Sequence, residues 1–565
     1  GMAALIPVLG KETTTASLMA YGYNPKISKW SPYHGAMYAV VESVAKIVAM
    51  GGNYHTIRFS FQEYFEKLLD DPKRWGKPLA ALLGANRVQQ ELKLPSIGGK
   101  DSMSGTFENI SVPPTLVSFA ITASDVHDVM TPEAKEAGHI LAEVQIKKDQ
   151  FRVFDFDHLQ KQYNAIQDLM KQKKIYSAYT VKDGGVIEAV CKMAFGNGLG
   201  AAFNTDHTLA SYVEKNYGNI IVEVKSEKDL VGLDYRVVAT LNDSEKFSYG
   251  MDTISIQEAY AINKAPLESV YPTREKASTQ DIKVAECKTR STLKAKQYIE
   301  TPLVVIPVFP GTNCEYDSKR AFEKAGAKVE LVLIRNKTEE MLKTSIDELE
   351  NAIKRANIVM LPGGFSAGDE PEGSGKFIAT VLRNPRLKAA ISDLLDNRDG
   401  LMIGICNGFQ ALIKLGLLPY GEIRDMSEND ATLTFNTIGR HLSQFVDTRI
   451  GSVKSPWLAN VNVGDVHVIP ISHGEGRFVA PKEVIDELFA NGQVFSQYVD
   501  PNRKVTMQTP YNPNGSMYAI EGIVSRDGRV LGKMGHSERR DSYVGINIYG
   551  QKDQKIFESG VEYFK

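Results

Sequence analysis

Cysteine is scarce in this chain of 565 residues, which carries only Cys191, Cys287, Cys314 and Cys406, all far apart. This spacing excludes a disulfide framework and a C-x-x-C metal site, so each thiol is either a buried side chain or a nucleophile. The chain also lacks an excess of either charge, because 66 Lys and Arg residues balance 68 Asp and Glu residues. A general nucleic-acid-binding protein would carry a basic excess, so we expect no nucleic-acid partner, although a local basic patch stays open.

Long apolar runs are absent as well. No run reaches the roughly 18–20 residues that cross a bilayer. The first residues, Gly1-Met2-Ala3, also lack the basic and apolar segments of an export signal. We therefore expect no membrane partner and a cytoplasmic location. Gly1 precedes Met2 and apolar sequence begins directly afterwards, which favours a piece of a longer chain.

The second half of the chain shows short apolar runs that alternate with helical patterns. At roughly 100–200 residues per domain, the whole chain of 565 residues is long enough for about three to five folding units. The predicted strands are Leu303–Phe309, Val329–Ile334, Asn357–Leu361 and Leu401–Ile405, and the predicted helices are Ser318–Ala325, Thr338–Arg355 and Ser374–Asn384. Such alternation indicates a parallel sheet covered by helices on both faces. We expect residues 301–565 to form a doubly wound α/β domain.

The first 300 residues indicate an α+β fold in two portions. Helices are predicted at Gly35–Met50 and Leu79–Leu92 from apolar spacings of three and four, and strands at Leu116–Ala123 and Ile140–Gln145. Thr131-Pro132 marks a boundary, so we expect subdomains at residues 1–129 and 130–265. The polar, Lys-rich segment that follows predicts a linker at residues 266–300.

A cysteine in a glycine-flanked bend is the most distinctive local feature. The apolar strand Leu401–Ile405 runs into Gly404-Ile405-Cys406-Asn407-Gly408, and a helix is predicted at Phe409–Leu415. Glycines relieve crowding at a strained nucleophile, and the helix N-terminus favours a thiolate. The alternative is a buried structural thiol, which is the interpretation we give Cys191.

A thiolate nucleophile needs a base and a group that orients the base. His536 follows a predicted hairpin, and Glu538 lies two residues further on, so both side chains point the same way in extended backbone. A solvated loop is the alternative. The amides of Gly364, in Leu361–Asp369, and Asn407 are candidates for an oxyanion hole, against the alternative of a plain glycine-rich turn. A Walker phosphate loop is excluded because its pattern does not occur.

Longer motifs resemble one enzyme family. The strings are Phe309-Pro310-Gly311-Thr312-Asn313-Cys314-Glu315, Leu361–Asp369, Gly404–Gln410, Ser472-His473-Gly474-Glu475-Gly476-Arg477-Phe478 and Gly535–Arg539. Together they resemble the class I (flavodoxin-like) glutamine amidotransferase domain of the phosphoribosylformylglycinamidine synthases, also called formylglycinamide ribonucleotide amidotransferases. Pro95–Ser104, Ser124-Asp125-Val126, Lys182-Asp183-Gly184-Gly185 and neighbouring strings resemble the second synthetase-like repeat of the large, single-chain form, with the aminoimidazole-ribonucleotide-synthetase-like fold.

The resemblance implies glutamine-dependent amidation of formylglycinamide ribonucleotide in purine biosynthesis. Cys406 would attack glutamine, His536 would move the proton, and Glu538 would orient His536. The Gly364 and Asn407 amides would hold the oxyanion, and His473 and Arg477 would lie at the glutamine pocket or a domain interface. The substrate, ATP and Mg²⁺ would be bound with a missing N-terminal half, and no cofactor is firmly expected in this chain.

The same resemblance places an auxiliary nucleotide site in the first half. Lys100, Glu42 and Asp183 match the nucleotide-binding pattern, and Glu42 and Asp183 would be metal ligands. Gly10 and Lys46 stand where the family has Asp and Asn, which removes oxygen ligands and adds a positive charge. We therefore expect weak or no Mg²⁺-nucleotide binding. Alternatively, Glu42 and Lys46 simply form an ion pair on one helix.

Two other functions stay open from the sequence. One is a hydrolase or chaperone of the same elbow-cysteine superfamily, which would show no preference for glutamine. The other is a non-catalytic scaffold half of a synthetase, in which Cys406 would be an ordinary thiol.

Overall fold

The chain folds into two compact units, Gly1–Ser269 and Val270–Lys565. The computed structural model describes residues 1–8, 10–273, 275, 282–368, 375–542 and 544–565. The predicted subdomain and linker boundaries stay predictions. Asp369, Ser374 and residues 274 and 276–281 of the predicted linker lie outside the described residues. Within the described ranges, no helix is both long and apolar enough to span a membrane.

The first unit begins with a mixed sheet that packs on a long helix. Its strands run in the order β1-β2-β7-β3-β4, with β3 and β4 parallel and the other neighbours antiparallel. The elements are β1 (Met2–Leu5), β2 (Thr15–Gly22), α1 (Pro25–Trp30), α2 (Pro32–Ala49), β3 (Arg58–Phe65), α3 (Pro72–Leu92), β4 (Ser96–Met103), β5 (Thr106–Phe107), β6 (Ile110–Ser111) and β7 (Thr115–Asp125). Helix α2 is buried along nearly its whole length, which explains its apolar sequence.

A second sheet completes the first unit. Its strand order is β14-β13-β10-β12-β8-β11-β9, and its neighbours are antiparallel apart from β10 and β13. The elements are β8 (Ile140–Val144), α4 (Phe156–Lys171), β9 (Ile175–Thr180), α5 (Gly185–Asn197), β10 (Gly200–Phe203), α6 (Leu209–Tyr212), β11 (Ile220–Val224), β12 (Tyr235–Asn242), β13 (Lys246–Tyr249), β14 (Asp252–Ser255) and α7 (Ile256–Glu268).

The second unit is built on one sheet in the order β16-β15-β17-β18-β25-β24-β23-β20-β21. The five strands from β16 to β25 are parallel, and the rest extend the sheet in antiparallel fashion. The strands are β15 (Leu303–Val308), β16 (Lys328–Leu333), β17 (Ile358–Leu361), β18 (Leu401–Ile405), β19 (Thr432–Thr434), β20 (Leu442–Ile450), β21 (Val466–His473), β22 (Arg477–Val479), β23 (Val494–Tyr498), β24 (Ile520–Val524) and β25 (Val530–Lys533).

The described α-helices of the second unit are α8 (Glu315–Lys324), α9 (Glu339–Arg355), α10 (Lys376–Leu382), α11 (Pro385–Ser392), α12 (Asn407–Leu415), α13 (Leu417–Tyr420), α14 (Lys482–Ala490) and α15 (Ile556–Glu562). Helices α8 to α13 connect the strands of the parallel part of this sheet, α14 precedes β23, and α15 follows β25. Short turns of 3-10 or π helix occur at Tyr54–Thr56, Val126–Asp128, Glu227–Asp229, Ser366–Gly368, Asp393–Asn397, Pro456–Leu458 and Met517–Ala519. The predicted fold class, α+β sheets followed by a doubly wound α/β domain, is confirmed.

Glycines allow α12 to lie directly on the centre of this sheet. A Cβ atom on Gly408 would lie 1.9 Å from the carbonyl oxygen of Leu361, at the end of β17. A Cβ atom on Gly404 would lie 2.6 Å from the backbone of Gly408. Because no side chain separates the helix from the strands, the first turn of α12 meets the carboxyl ends of β17 and β18.

Candidate active site

The candidate site lies where the parallel strands of the second unit end. Cys406 follows β18, His536 follows β25, and the Gly363-Gly364 pair follows β17. Cys314 lies beside them, directly before α8. Because the carboxyl ends of parallel strands share one edge of the sheet, residues from four separate parts of the chain meet here.

Cys406 occupies a strained bend between β18 and α12. Its backbone has φ of 52° and ψ of −107°, outside the conformations that non-glycine residues ordinarily adopt. The Cys406 N–H donates to the carbonyl of Lys533 at 2.8 Å, which fixes the bend to β25. The thiol is only 5% exposed and lies at the N-terminus of α12. The predicted elbow geometry is therefore present.

His536 and Glu538 form a buried pair. Nδ1 of His536 lies 2.6 Å from Oε1 of Glu538, and both residues are 2% exposed. Burial lowers the pKa of His536, but the Glu538 carboxylate and the thiols of Cys314 and Cys406 outweigh it and raise that pKa well above its usual value. Burial opposes ionisation of Glu538, yet its pKa is lowered by His536. The pair favours a charged imidazolium and carboxylate.

The His536 ring lies beside the Cys314 thiol, and the Cys406 thiol also affects its pKa. Hydrogen bonding with Cys406 contributes to its raised pKa, and Sγ of Cys314 lies 3.8 Å from its Nδ1. Gly363 makes room for this cluster, since a Cβ atom there would lie 2.8 Å from Cε1 of His536 and 3.1 Å from Sγ of Cys314. Sequence reasoning did not identify Cys314 or Gly363 as site residues, although both lie within the motifs that carried the family resemblance.

Two backbone amides are free to bind an oxyanion. Within the described ranges, the N–H groups of Gly364 and Asn407 have no hydrogen-bond acceptor. Gly364 has φ of 149°, and a Cβ atom on it would lie 2.6 Å from the carbonyl oxygen of Gly311. The Asn407 side chain accepts from the Ser366 N–H at 3.3 Å, which ties the two loops together. Only a residue without a side chain fits at Gly364.

A cavity of about 370 Å³ opens onto Cys406. Its lining includes Gly364, Gln410, Phe435, Arg440, His441 and His473. The structure thus places His473 at the cavity. Burial, with His536 and His441 nearby, lowers the pKa of His473 to about 3, so its ring is neutral. Arg477 lies outside the lining, on β22, with its Nε donating to the carbonyl of Gly515 at 3.3 Å.

A second buried network supports the loop that carries His536. The ammonium group of Lys533 is fully buried and lies 3.3 Å from Oε1 of Glu521. It donates to Oγ of Ser537 at 2.7 Å, and the N–H of Gly535 donates to Glu521 at 2.8 Å. Sequence reasoning missed this network, because the paired residues lie on different strands and share no motif.

The residues of the predicted auxiliary nucleotide site lie in the first unit and do not fit a Mg²⁺ ion. Lys46 Nζ lies 2.7 Å from the buried Glu42 carboxylate, and it also donates to the carbonyl of Tyr21 at 2.6 Å. Asp183 pairs with Lys26 and Lys215, each at 3.0 Å. Both carboxylates are thus neutralised by ammonium groups, which a metal ion would have to displace.

Lys100, the remaining residue of that prediction, lies on β4. Its Nζ donates to the carbonyl of Asp101 at 3.3 Å and to Oγ of Ser102 at 3.2 Å. The Lys100 ammonium group therefore makes its hydrogen bonds to residues of its own strand. Weak Mg²⁺-nucleotide binding stays a prediction, and the ion pair between Glu42 and Lys46 is the contact that favours it.

Comparison with known proteins identifies relatives of the second unit. The CobB/CobQ-like glutamine amidotransferase domain family matches residues 301–564. Phosphoribosylformylglycinamidine synthase subunit PurQ of Methanococcus maripaludis strain C5 is 32% identical over 283 residues, which cover 46% of this chain and 98% of the relative. The PurQ subunit of Aquifex aeolicus is 34% identical over 232 residues, which cover 41% of this chain and 88% of the relative.

Two of the solved structures that resemble parts of this chain come from Thermotoga maritima. The structure of PurLQS matches with 28% identity and a TM-score of 0.35, covering 47% of this chain and 100% of that one. PurL complexed with FGAR matches with 14% identity and a TM-score of 0.37, covering 49% of each chain. The match to PurL therefore spans about half of that protein's length.

Proposed function

Since this chain belongs to the phosphoribosylformylglycinamidine synthase subunit PurQ family, we propose that it hydrolyses glutamine and supplies the ammonia that converts formylglycinamide ribonucleotide to formylglycinamidine ribonucleotide. The observation that carries the proposal is the buried His536 ring, which lies 2.6 Å from the carboxylate of Glu538 and whose pKa is raised in part by the elbow thiol of Cys406. This arrangement supplies a nucleophile, a proton carrier and the group that orients the carrier.

The first chemical step forms a thioester. The charged His536 already holds the proton of the Cys406 thiol, and Cys406 Sγ attacks the side-chain carbonyl carbon of glutamine. The carbonyl oxygen gains negative charge and accepts hydrogen bonds from the Gly364 and Asn407 amides. The C–N bond then breaks as His536 returns its proton to the leaving nitrogen, which departs as ammonia. Glu538 holds the imidazole in place and stabilises its charged form throughout.

The second step regenerates the thiol. Water attacks the thioester carbon and gives a proton to His536, and the same amides stabilise the second oxyanion. Collapse breaks the C–S bond, releases glutamate and returns the proton to sulfur. Both steps therefore use the same groups. His473 at the cavity wall is neutral, so it is suited to binding uncharged parts of glutamine and does not compete with His536 for the proton.

The acceptor reaction needs more than the second unit provides. Formylglycinamide ribonucleotide, ATP and Mg²⁺ belong in this proposal to a PurL-like partner half, and the auxiliary carboxylates of this chain take no part in it. A cytoplasmic location is part of the same proposal, since a reactive free thiol at Cys406 requires a reducing compartment.

The proposal is tested with Cys406→Ala in the synthase completed with a PurL-like half. Glutamine-dependent amidation should fall by on the order of 10⁴-fold or more, because the nucleophile is removed. The ammonia-dependent reaction should persist, because it bypasses the thioester. Both rates are measured by product formation with glutamine or ammonium chloride. Loss of both activities, or retention of the glutamine-dependent rate, would contradict the proposed role.

A further inference from the structure

A cluster of three buried donor groups lies beside the proposed nucleophile and not on it. Sγ of Cys314, Nδ1 of His536 and a carboxylate oxygen of Glu538 all lie within 4.8 Å of one another. Sulfur, imidazole nitrogen and carboxylate oxygen are the ligands that Zn²⁺ uses in proteins. We propose that these three side chains bind a thiophilic divalent cation such as Zn²⁺, and that the bound cation reversibly inhibits glutamine hydrolysis.

The distances suit a tetrahedral ion. With Zn–S of about 2.3 Å and Zn–N of about 2.0–2.1 Å, tetrahedral geometry separates sulfur and nitrogen by about 3.5 Å. The observed separation between Cys314 Sγ and His536 Nδ1 is 3.8 Å. Nδ1 and Oε1 of Glu538 are 2.6 Å apart, so an ion that replaces the shared proton needs only small movements of the two side chains.

One donor atom of the cluster lacks a partner. Within the described part of the chain, Oε2 of Glu538 is buried and makes no hydrogen bond. A buried carboxylate oxygen in this state loses solvation without compensation, which a cation would restore. The Arg539 guanidinium donates to Cys314 Sγ at 3.2 Å, and a metal-bound sulfur still has lone pairs that accept such a bond.

A second cavity lies next to the cluster and has Glu538 in its lining. The charged residues that line this cavity of about 240 Å³ are Asp317, Arg320, Lys324, Glu538, Arg539, Arg540 and Asp541. Arg320 is paired with Asp317, and Arg540 is paired with Glu558. The Lys324 ammonium is paired with Asp541 at 2.8 Å, which reduces its repulsion of an entering cation. This cavity is separate in its lining from the one that opens onto Cys406.

Binding would disable the proton carrier. The cation gains Cys314 Sγ, His536 Nδ1 and a Glu538 oxygen and loses water ligands, while the Cys314 thiol and the Nδ1–H each release one proton to solvent. His536 then no longer donates to Glu538, and the cation on Nδ1 makes its other nitrogen a weaker base. His536 then no longer carries a proton to and from Cys406, so glutamine hydrolysis stops.

The binding test uses Cd²⁺ alone, as a spectroscopic substitute for Zn²⁺, and the full chain with Cys406→Ala. We expect one Cd²⁺ per chain with the ultraviolet charge-transfer absorption of a cadmium thiolate. In this background, Cys314→Ser and Glu538→Gln, made separately, should each weaken Cd²⁺ binding by at least about tenfold. Loss of a residue that only orients a metal ligand already weakens metal binding by about that factor. Cys287→Ser, at a half-buried thiol elsewhere in the unit, is the matched control. Equal affinity in the Cys314→Ser variant would overturn the proposal, and circular dichroism checks that each variant is folded.

The inhibition test rests on the proposed function, whereas the Cd²⁺ test does not. Zn²⁺ should inhibit glutamine hydrolysis by the wild-type chain, and EDTA should restore it. The Zn²⁺ concentration that halves the rate of glutamine hydrolysis should be at least about tenfold higher for Cys314→Ser than for the wild-type chain. Undiminished sensitivity would show that the ion binds through Cys406 and would overturn the inference. Cd²⁺ binding without any glutamine hydrolysis would instead contradict the proposed function alone.

Discussion

At the scale of single residues, contact with a carboxylate decides the charge of two buried histidines in the second unit. His536 lies next to the Glu538 carboxylate, and its pKa is raised well above the usual value despite burial. His467, on β21, has no such carboxylate in contact, and burial together with the nearby Lys533 ammonium lowers its pKa to about 4. Its Nδ1 is buried without a hydrogen-bond partner among the described residues. The same side chain is thus favoured as a cation at one position and as a neutral ring at the other.

His467 therefore makes the protein sensitive to acid. The unfolded chain binds a proton at His467 near pH 6.5, whereas the folded chain does so only near pH 4, so stability falls as pH drops through this window. Between pH 7 and pH 5 the loss from this residue should be about 2 kcal/mol, at 1.36 kcal/mol per pH unit. We expect His467→Asn to reduce the acid-induced loss by that amount.

The measurement is urea unfolding of both proteins at pH 7 and pH 5. The difference between the two pH values, and not the absolute stability, carries the prediction, because the substitution also changes packing. His473 shifts in the same direction but is present in both proteins, so it cancels. An identical pH dependence in the variant would contradict the assignment of a neutral, buried His467.

At the scale of elements, the position of Cys406 depends on how closely α12 approaches the sheet. The helix rests on the ends of β17 and β18 without intervening side chains at Gly404 and Gly408. The Cys406 N–H bond to β25 then fixes the bend from the third side. The strained backbone of the nucleophile is maintained by this packing, since the bend alone would relax.

We expect Gly408→Ala to damage both stability and glutamine hydrolysis. The new Cβ atom would lie 1.9 Å from the Leu361 carbonyl oxygen, which is backbone and has little room to move. Overpacking of this kind costs about 1–3 kcal/mol and would push the helix, with Cys406, away from His536. Thermal unfolding and the rate of glutamate release measure the two effects.

Gly76→Ala is the matched control for that substitution. Gly76 lies in α3, and a Cβ atom there would have no neighbour within 4 Å. Replacing an exposed helical glycine by alanine should stabilise the protein by roughly 0.5–1 kcal/mol. If both variants unfolded and hydrolysed glutamine alike, the tight contact at Gly408 would have no role.

At the scale of the whole molecule, the second unit includes residues that precede its first strand. The Ala285 N–H donates to the Gln497 side chain at 2.8 Å, and the Cys287 N–H donates to the carbonyl of Gly451 at 2.8 Å. Arg290 donates to the carbonyls of Ala459 and Val461 at 2.9 and 3.0 Å. The described residues of this segment therefore pack on the α/β domain that follows them.

We expect a fragment of residues 270–565 to be more stable than a fragment of residues 301–565. The shorter fragment loses the hydrogen bonds of the preceding segment and exposes the surface that Ala285 covers, at about 1 kcal/mol per hydrogen bond. The free energy of unfolding should therefore differ by a few kcal/mol, measured with urea and tryptophan fluorescence. Equal unfolding midpoints would show that the segment contributes nothing to the fold.

Much of the second unit followed from periodicity. The apolar run Leu401–Ile405 is β18 as predicted, and the predicted helix Thr338–Arg355 is α9 from Glu339. Strand pairing between distant segments and the exact start of a helix were harder to predict from the sequence. The antiparallel strands β20, β21 and β23 extend the sheet through pairings between distant segments, and helix α3 begins at Pro72 instead of Leu79. The helix starts there because the Asp71 side chain accepts from the Lys73 N–H at 2.9 Å and Pro72 stands at the first helical position.

The sequence by itself determined the chemistry of the proposed site, because a cysteine in a glycine-flanked elbow and a His-x-Glu pair are local patterns with local causes. Only the tertiary structure brought Cys314 Sγ within 3.8 Å of His536 Nδ1 and left Gly363 without space for a side chain. Only it showed that the Lys46 ammonium occupies the Glu42 carboxylate. The physical reason is that distances between residues far apart in the chain are set by the packing of strands and helices, which no local pattern encodes.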